Sequence, residues 1–353
     1  MKTFRLHFAF ALLLVLLLSA TVVRAQMSAH YINVGQADSI LLEFKKAAIL
    51  IDAGGEAADP PTRDRDHLID YLNKFFTRRT DLNRTLLAVI ISHPHLDHTK
   101  NLMPVLRTFK VKNFIDGGNM RGSGFPQLRQ ARKFASTHSI KYRSITDKEI
   151  ENLGTKGLAL FPTILGASDI ELKLLDASRG CENGNNDSLI VRVTYKQASY
   201  LFDGDAETES DPECEGEVPI LVDFYQGTDK VDVDVYKVGH HGSANGTDEE
   251  FMQAMTPQIA VISAGIHTQH GLGKFHGFQF GHPRENIVAL LERFTSGDRE
   301  PVEVYTMPRV KKVKHDRQVE KAIYCTCWDG DIVVSTNADG SKFNVKTSGL
   351  RPF

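Results

Sequence analysis

The chain has 353 residues, of which 41% are hydrophobic and 24% charged, and a formal net charge of −2 at pH 7. This composition excludes a disordered or collagen-like chain, and the length allows a substantial buried core. A slightly acidic balance is unfavourable for binding a nucleic-acid backbone over the whole surface, although a local basic patch can still do so.

The first 25 residues have the pattern of a secretory signal peptide. Lys2 and Arg5 precede an apolar run at 8–18, and the small-x-small sequence Val23-Arg24-Ala25 follows. The alternative is a retained membrane anchor, but the run is short of the ~20 residues that a spanning helix needs. We therefore expect cleavage after Ala25, export to a periplasm or out of the cell, and no transmembrane segment in the mature chain.

The remainder, 26–353, reads as strands alternating with helices. Short apolar or alternating runs predict strands at 30–34, 39–44, 47–55, 86–92, 111–118, 170–177, 188–195, 198–207, 233–243 and 259–266. Helical spacing of apolar residues predicts helices at 65–78, 102–109, 126–138, 247–256 and 284–294. Two closing strands with a turn at Asp339-Gly340 are expected within 320–347. We interpret 26–353 as one α/β domain with two mixed sheets covered by helices.

The four cysteines are interpreted as structural. Export permits disulfides, and Cys181 and Cys214 flank a predicted strand pair, so a bridge between them is reasonable. Cys325 and Cys327 stand two apart in a strand-like run and should face the same side, which disfavours a mutual disulfide. The spacing also resembles no four-cysteine zinc site.

A cluster of metal-ligand residues follows the buried strand at 86–92. His93, His95, Asp97 and His98 fall within six positions, and burying so many polar groups without partners would cost free energy. Residues i and i+2 at a strand end face the same way, so His93 and His95 can hold one cation together. A turn into a helix would direct Asp97 and His98 to a second cation. Imidazole and carboxylate suit Zn²⁺, and also Mn²⁺ or Fe²⁺.

Two further strand ends offer the remaining ligands. Asp203-Gly204-Asp205 closes one apolar strand, and His240-His241-Gly242-Ser243 closes the next. A carboxylate shared by cations ~3.5–4 Å apart is a common bridge in binuclear hydrolases, and one of these aspartates would serve.

Together these motifs resemble the metallo-β-lactamase superfamily, and within it the branch that contains the hydrolase domain of the competence protein ComEC and the bacterial phosphorylcholine esterases. The resemblance runs from about residue 30 to 290. The matching segments are GQADS at 35–39, IDAG at 51–54, SHPHLDH at 92–98, NNDSL at 185–189, GDAE at 204–207, KVGHHGS at 237–243 and GHP at 281–283.

The resemblance implies a four-layer αββα sandwich and a site for two divalent cations, with Zn²⁺ the first choice and Mn²⁺ the alternative. It places His93 and His95 on the first cation, Asp97 and His98 on the second, and Asp205 between them. His241 is our choice as a further ligand of the second cation, although the sequence alone does not decide between His241 and its neighbour His240.

Residues outside the ligand set also receive roles from the resemblance. His240 would face the substrate or support the ligands, and Asp52 would orient a ligand histidine. His282 would reach the rim, where it could protonate a leaving group or hold an anionic oxygen, or it is simply a solvated loop histidine.

The chain departs from the pattern at several positions. Asn33 and Ala37 replace the usual Asp and Gly of the opening motif, which we expect to affect packing only. Asn185, Asn186 and Asp187 stand where true β-lactamases place a histidine. That substitution argues against antibiotic hydrolysis. It also leaves the ligand set with more hard oxygen donors, which favours Mn²⁺ as an alternative to Zn²⁺. We expect Asn185 and Asn186 to support the ligands.

These observations predict a secreted binuclear hydrolase of phosphodiesters, in which the cations lower the pKa of a water molecule so that hydroxide attacks the ester. Asp97, His240 and His282 are the expected catalytic groups. A small or cell-wall phosphodiester is favoured over nucleic acid, because the chain is acidic and has one tryptophan, Trp328.

Two alternatives remain open. An extracellular nuclease would bind a nucleic-acid strand on a basic segment of the chain. The alternative is that this segment is the solvated face of a β-strand. The basic residues are Arg309, Lys311, Lys312, Lys314 and Arg317. A non-catalytic binding protein would keep the metals for stability.

The sequence also contains insertions at 206–231 and 265–282. The second insertion, with His267, His270 and His276, is interpreted as a lid or a plain solvated loop.

Overall fold

The structure is a computed structural model, which describes residues 27–56, 63–162, 169–265, 277–308 and 315–349. The predicted signal peptide at 1–25, most of the 265–282 insertion and residues 309–314 of the basic segment lie outside the described residues. Among the helices that are described, none combines the length and the apolar character needed to cross a bilayer.

Strands and helices alternate along the chain as predicted. The strands are β1 (Met27–Tyr31), β2 (Ile40–Phe44), β3 (Ala48–Ile51), β4 (Thr85–Ile90), β5 (Lys110–Asp116), β6 (Lys141–Ser144), β7 (Leu158–Leu160), β8 (Ile170–Asp176), β9 (Ile190–Tyr195), β10 (Ala198–Phe202), β11 (Val235–Lys237), β12 (Ile259–Ile262), β13 (Asp298–Thr306), β14 (His315–Lys321), β15 (Ile323–Cys325), β16 (Ile332–Thr336) and β17 (Phe343–Thr347). The helices are α1 (Arg63–Arg78), α2 (Leu96–Thr99), α3 (Leu102–Thr108), α4 (Phe125–Thr137), α5 (Asp147–Glu151), α6 (Glu217–Phe224), α7 (Glu249–Met255), α8 (Gly277–Phe280), α9 (Glu285–Phe294) and α10 (Thr326–Asp329).

The strands form two large mixed sheets. The first has eight strands in the order β17-β16-β1-β2-β3-β4-β5-β6, and the second has seven in the order β15-β12-β11-β10-β9-β8-β7. In the first sheet β3, β4, β5 and β6 run parallel, and in the second β10, β11, β12 and β15 do. A separate hairpin pairs β13 with β14.

Three apolar cores divide the molecule into four layers. On β2, Leu42 packs in the core between the sheets, whereas its neighbour Leu41 packs under the helices. On β10, Phe202 faces the inner core and Leu201 the opposite helices. This alternation follows from the two-residue period of a strand, and it gives both faces of each sheet a buried surface. The expected αββα sandwich is confirmed.

The two outer cores belong to different helices. Helices α1, α3 and α4 cover the eight-stranded sheet with apolar residues at helical spacing, such as Leu68, Leu72 and Phe75 of α1. Helices α6, α7 and α9 cover the seven-stranded sheet, together with the β13–β14 hairpin. Each helix presents one apolar stripe to its sheet, as an amphipathic surface helix should.

The cysteines form two disulfides, of which one was expected. Cys181 and Cys214 are joined with an S–S distance of 2.03 Å and a Cα–Cα distance of 5.8 Å. Cys325 and Cys327 are also joined, so the expectation against their mutual bridge was wrong. The reason is that β15 ends at Cys325 and the helical turn α10 begins at Thr326, so the two side chains do not follow strand alternation.

The C-terminal part was predicted incompletely. Strands β16 and β17 and the turn at Asp339-Gly340 are confirmed. The β13–β14 hairpin and helix α6 were not predicted. Strand β13 is mostly exposed and charged, and its alternation is limited to a short stretch around Val302 and Val304. On β14, Arg317 pairs with Glu292 of α9, which supports the solvated-face interpretation for that residue.

Candidate metal centre

The proposed ligands come together at one edge of the sandwich. His93 follows β4 in the first sheet, whereas Asp205 follows β10 and His241 follows β11 in the second. Strands β3 and β4 run parallel to each other, and so do β10 and β11. The carboxyl ends of parallel strands share one sheet edge, so residues far apart in sequence meet there.

Asp205 lies at the centre of the cluster. Its Oδ2 atom is 3.2 Å from His98 Nε2, 3.3 Å from His241 Nε2 and 4.0 Å from His93 Nε2. Two ligands on one tetrahedral Zn²⁺, each ~2.0–2.1 Å from the ion, stand about 3.3 Å apart. The carboxylate is therefore placed to touch cations held by histidines on two sides.

The remaining ligand pairs have the same spacing. His93 Nε2 lies 3.1 Å from His95 Nδ1, and His241 Nε2 lies 3.3 Å from Asp97 Oδ2. Each pair has the separation expected of two ligands on one ion, so the two pairs fit two cation positions. Every ligand that the sequence suggested is thus brought into the cluster.

Hydrogen bonds fix which nitrogen of two ligand histidines faces the cluster. His98 donates from Nδ1 to Asp52 Oδ2 at 2.8 Å, and His241 donates from Nδ1 to the Ser263 carbonyl at 2.8 Å. Each neutral ring then carries a lone pair on Nε2, directed at the Asp205 carboxylate. A lone pair facing an anion is unfavourable unless a metal ion or a proton lies between them.

Asp52 is the hub of the supporting bonds. Besides His98, it accepts from the Ser92 backbone N–H and the Ser92 hydroxyl, each at 2.8 Å. That hydroxyl lies 3.1 Å from His93 Nδ1 and can accept its proton, which leaves the His93 Nε2 lone pair for a cation. Asp52 has a φ of +58°, a costly conformation for a residue other than glycine that the surrounding bonds maintain.

The donor set fits divalent cations. His98 Nε2 and Asp205 Oδ1 are buried and have no hydrogen-bond partner within the described part of the chain. Asp38, His98, Asp205 and His241 each offer a ligand atom, and all four atoms lie within 4.8 Å of one another. Imidazole nitrogens and carboxylate oxygens are ordinary ligands of zinc-type ions. The cluster of Asp and His residues therefore fits a binuclear metal site.

Metal binding should release protons. Burial opposes the protonated form of His241, but the charge of Asp205 outweighs burial and raises the pKa of His241 to about 10 in the metal-free protein. A cation must then displace that proton at neutral pH, so apparent metal affinity should rise with pH up to about 10. Titration calorimetry of Zn²⁺ in buffers of different ionisation enthalpy measures the released protons; a heat that is independent of the buffer contradicts the expectation.

His240 points away from the cluster that its neighbour joins. Its Nδ1 lies 3.0 Å from Asn245 Oδ1 and 3.2 Å from Glu207 Oε1, and its side chain is 21% exposed. Glu207 in turn accepts from Asn185 Nδ2 at 2.6 Å. The structure thus separates the adjacent histidines, with His241 against Asp205 and His240 at the rim.

The asparagine pair supports this rim. Asn185 Oδ1 is buried and has no hydrogen bond to any residue that the structure describes, whereas the amide nitrogen donates to Glu207. Asn186 Oδ1 accepts from the backbone of Glu207 at 3.3 Å and of Glu217 at 3.2 Å. Asn186 therefore holds the loop together, and Asn185 is the member of the pair with an oxygen free to face a ligand.

Two buried charges were missed by sequence reasoning. Lys237, 1% exposed at the end of β11, lies 2.7 Å from Asp38 Oδ2 and 3.6 Å from Asp205 Oδ1. Lys237 thus contacts the Oδ1 atom of Asp205, whereas His98 and His241 contact its Oδ2 atom. The signal available was a lysine inside the apolar run VYKV and an aspartate in a motif to which we gave no role.

His282 lies next to the ligands, as expected. Its ring centroid is 6.2 Å from that of His241 and 5.7 Å from that of His240. Gln36 binds its Nδ1 at 3.1 Å. Burial, followed by the neighbouring histidine charges, holds the pKa of His282 well below its usual value. His282 is 6% exposed, so the solvated-loop interpretation was wrong.

Close approach explains two glycines of the site. A Cβ on Gly54 would lie 1.7 Å from the Asp97 carbonyl oxygen, and one on Gly239 would lie 2.5 Å from the Gly246 oxygen. Only glycine lets the β3 loop pack beneath Asp97 and lets the His240-His241 turn close on the neighbouring loop.

A cleft of about 250 Å³ opens beside the cluster. It lies between the loop at 117–124 and the loop at 178–184 that the Cys181–Cys214 bridge ties down. Gly184, on its wall, would place a Cβ 3.1 Å from His95 Nε2. The cleft thus adjoins the ring of His95.

The chain is similar to several known proteins. A sequence profile of the family described as "Metallo-beta-lactamase superfamily" matches residues 32–266. ComE operon protein 3 of Bacillus subtilis (strain 168) is 26% identical over 275 residues, which cover 74% of this chain and 30% of that protein. Recombination protein 2 of Haemophilus influenzae is 28% identical over 112 residues, which cover 32% of this chain and 11% of that protein.

The chain therefore spans less than a third of either relative. Among solved structures, the metallo-beta-lactamase fold protein YhfI from Bacillus subtilis has a TM-score of 0.42 at 12% identity, covering 83% of this chain and 99% of that one. A diphosphatase from the PhnP family has a TM-score of 0.36 at 9% identity, covering 66% of this chain and 85% of that one.

Proposed function

Because the chain belongs to the metallo-β-lactamase superfamily, we propose that it is an exported binuclear hydrolase that cleaves phosphodiesters. The observation that carries the proposal is the convergence of His98 Nε2 and His241 Nε2 on Asp205, with the Asp97 carboxylate beside His241. When bound, two divalent cations supply positive charge for phosphoryl oxygens and lower the pKa of a water molecule. The resemblance to the ComEC and phosphorylcholine esterase branch supports a phosphodiester as the substrate.

Asp97 is the carboxylate that faces the reacting groups. Its side chain is 32% exposed, whereas that of Asp205 is 2% exposed. In the metal-free protein burial opposes its charge, but the hydrogen bond from protonated His241 prevails and lowers the pKa of Asp97 to about 2. An ionised carboxylate accepts hydrogen bonds only, so Asp97 can orient an attacking water by accepting its hydrogen bond.

The rim residues favour an anionic substrate. His240 is held by Glu207 and Asn245 with one ring edge available, and His282 stands 5.7 Å from it, centroid to centroid. Two imidazoles beside two cations place hydrogen-bond donors around negative charge that develops on a phosphoryl group. The cleft beside His95 is small, so we propose a small or cell-wall phosphodiester instead of a long strand.

Export is proposed from the sequence of the first 25 residues and supported by the two disulfides, since disulfides persist in oxidising compartments. A secreted fraction whose chain begins at Gln26 is the expected result. Retention of residues 1–25 in a membrane fraction would favour the anchor.

A substrate panel tests the reaction class. The purified chain, incubated with Zn²⁺ or Mn²⁺, should hydrolyse bis-p-nitrophenyl phosphate and leave nitrocefin and a lactone intact. Cleavage of linear DNA in preference to the small diester would favour the nuclease, and no turnover with any of these would favour a binding protein.

The Asp97→Ala variant should abolish turnover of the diester, because it removes the group that aligns the water. The Asp223→Ala variant, on the exposed face of α6, is the matched control and should retain the activity of the unchanged chain. Retained activity in Asp97→Ala would contradict the assignment.

A further inference from the structure

The buried amide of Gln36 lies between His282 and the chain after β12. Gln36 Nε2 is 3.1 Å from His282 Nδ1, and Gln36 Oε1 is 3.1 Å from the Gly265 backbone nitrogen. Gln36 is 4% exposed, and its own backbone N–H donates to Glu56 Oε1 at 3.0 Å. The side chain is therefore fixed at both ends.

The Gly265 backbone N–H determines the orientation of the Gln36 side-chain amide. A backbone N–H can only donate, so the amide atom that faces it must be the acceptor oxygen. The other amide atom, the NH₂ group, then faces His282. Rotating the amide by half a turn would set two donors against each other at Gly265. The orientation therefore follows from the chemistry of the neighbouring backbone.

The tautomer of His282 follows from the amide. An NH₂ group donates, so His282 Nδ1 must accept and cannot carry a proton. The proton of the neutral ring then sits on Nε2, on the opposite edge. An imidazolium would place an Nδ1 proton against the NH₂ group, so Gln36 also disfavours the charged ring.

We propose that Gln36 is a positioning residue that holds His282 as a neutral Nε2–H hydrogen-bond donor, which stabilises a non-bridging oxygen of the phosphoryl group. This role rests on the proposed function, whereas the tautomer does not. The sequence left two roles open for His282, and the Gln36 contact distinguishes them. A neutral imidazole that gave up its Nε2 proton would become an imidazolate, so it is a donor and not an acid for the leaving group.

The surroundings of Gln36 leave it little freedom. A Cβ on Gly265 would lie 3.1 Å from Gln36 Cβ, and one on Gly277 would lie 3.2 Å from Gln36 Oε1. The His282 ring, stacked 6.2 Å from that of His241, is held beside the ligands. A donor kept in one orientation stabilises developing charge without reorganising during the reaction.

Nitrogen NMR of the full chain loaded with Zn²⁺ tests the tautomer directly. With ¹⁵N-labelled histidine, and with the His282→Ala variant to identify the signals, the unchanged protein should show a protonated Nε2 and an unprotonated Nδ1. Gln36→Glu, which presents only acceptors, should move the proton to Nδ1. Gln253→Glu on the exposed face of α7 is the control and should leave the signals unchanged.

Protonated Nδ1 in the unchanged protein would overturn the proposal, and so would a His282 signal that does not respond to Gln36→Glu. Because these signals do not depend on turnover, they stand whether or not the chain cleaves phosphodiesters.

Two esters with different leaving groups test the role. Gln36→Leu and His282→Ala should each keep the metal content and lower kcat by about 10²-fold, the scale for one lost oxyanion donor. The loss should be similar for bis-p-nitrophenyl phosphate and diphenyl phosphate. A loss confined to diphenyl phosphate, whose leaving group needs a proton more, would assign His282 as an acid and overturn the proposal. An unchanged protein that cleaves neither ester would contradict the proposed function and leave the NMR result standing.

Discussion

Asp205→Asn is expected to remove at least one cation and to lower turnover by at least about 10³-fold, the scale for losing one member of a catalytic unit. Asp205 Oδ2 faces Nε2 of both His98 and His241 at 3.2 and 3.3 Å. Burial opposes its charge, but the two histidines hold the pKa of Asp205 well below its usual range. The carboxylate therefore supplies the negative charge that two cations share, and an amide cannot replace it.

Metal content by elemental analysis and turnover of bis-p-nitrophenyl phosphate are the measurements. Asp203→Asn is the matched control, since burial raises the pKa of Asp203 to about 8 and the side chain is largely uncharged at neutral pH. It should keep its metals. An Asp205→Asn protein with two cations and full activity would show that Asp205 is not the bridge.

Lys237→Met is expected to lower the free energy of unfolding of the metal-free protein by about 3–5 kcal/mol, because it breaks a buried ion pair from one side. Lys237 is 1% exposed, and its ammonium lies 2.7 Å from Asp38 Oδ2 and 3.6 Å from Asp205 Oδ1. Methionine fills the space of the lysine methylene chain and leaves both carboxylates buried without the Lys237 ammonium group.

Urea unfolding of the metal-free chain measures the effect without a contribution from lost metals. Lys112→Met, at an exposed position of β5, should change stability by less than about 0.5 kcal/mol. Adding Asp38→Asn to Lys237→Met should restore part of the loss, because the second change removes one uncompensated charge. A loss for Lys237→Met no larger than that for Lys112→Met would contradict the buried pair.

Sequence reasoning identified the residues of this cluster because they are concentrated in the sequence. His93, His95, Asp97 and His98 occupy a few positions after one apolar strand, and the strand period indicates which of them face together. Asp205 and His241 also end apolar strands. In a sandwich with parallel strands such ends meet at one edge. The sequence pattern therefore predicted both that these residues lie close together and that they can bind cations.

The supporting residues could not be found in this way. Lys237 and Asp38, or Gln36 and His282, are single polar residues far apart in sequence, and only the folded chain brings them into contact. Nor could local spacing show that β15 stops at Cys325 and that the chain turns there, which allows Cys327 to bond back. These contacts depend on the tertiary structure and not on local sequence spacing.

Anomalous X-ray diffraction from crystals of the Zn²⁺-loaded chain tests the binuclear site most directly. We expect two peaks about 3.5–4 Å apart, one at His93 and His95 and the other at Asp97, His98 and His241, with Asp205 between them. Zn²⁺ bound only at surface positions, with no peak within coordination distance of Asp205, would contradict the metal centre and the hydrolase proposed from it.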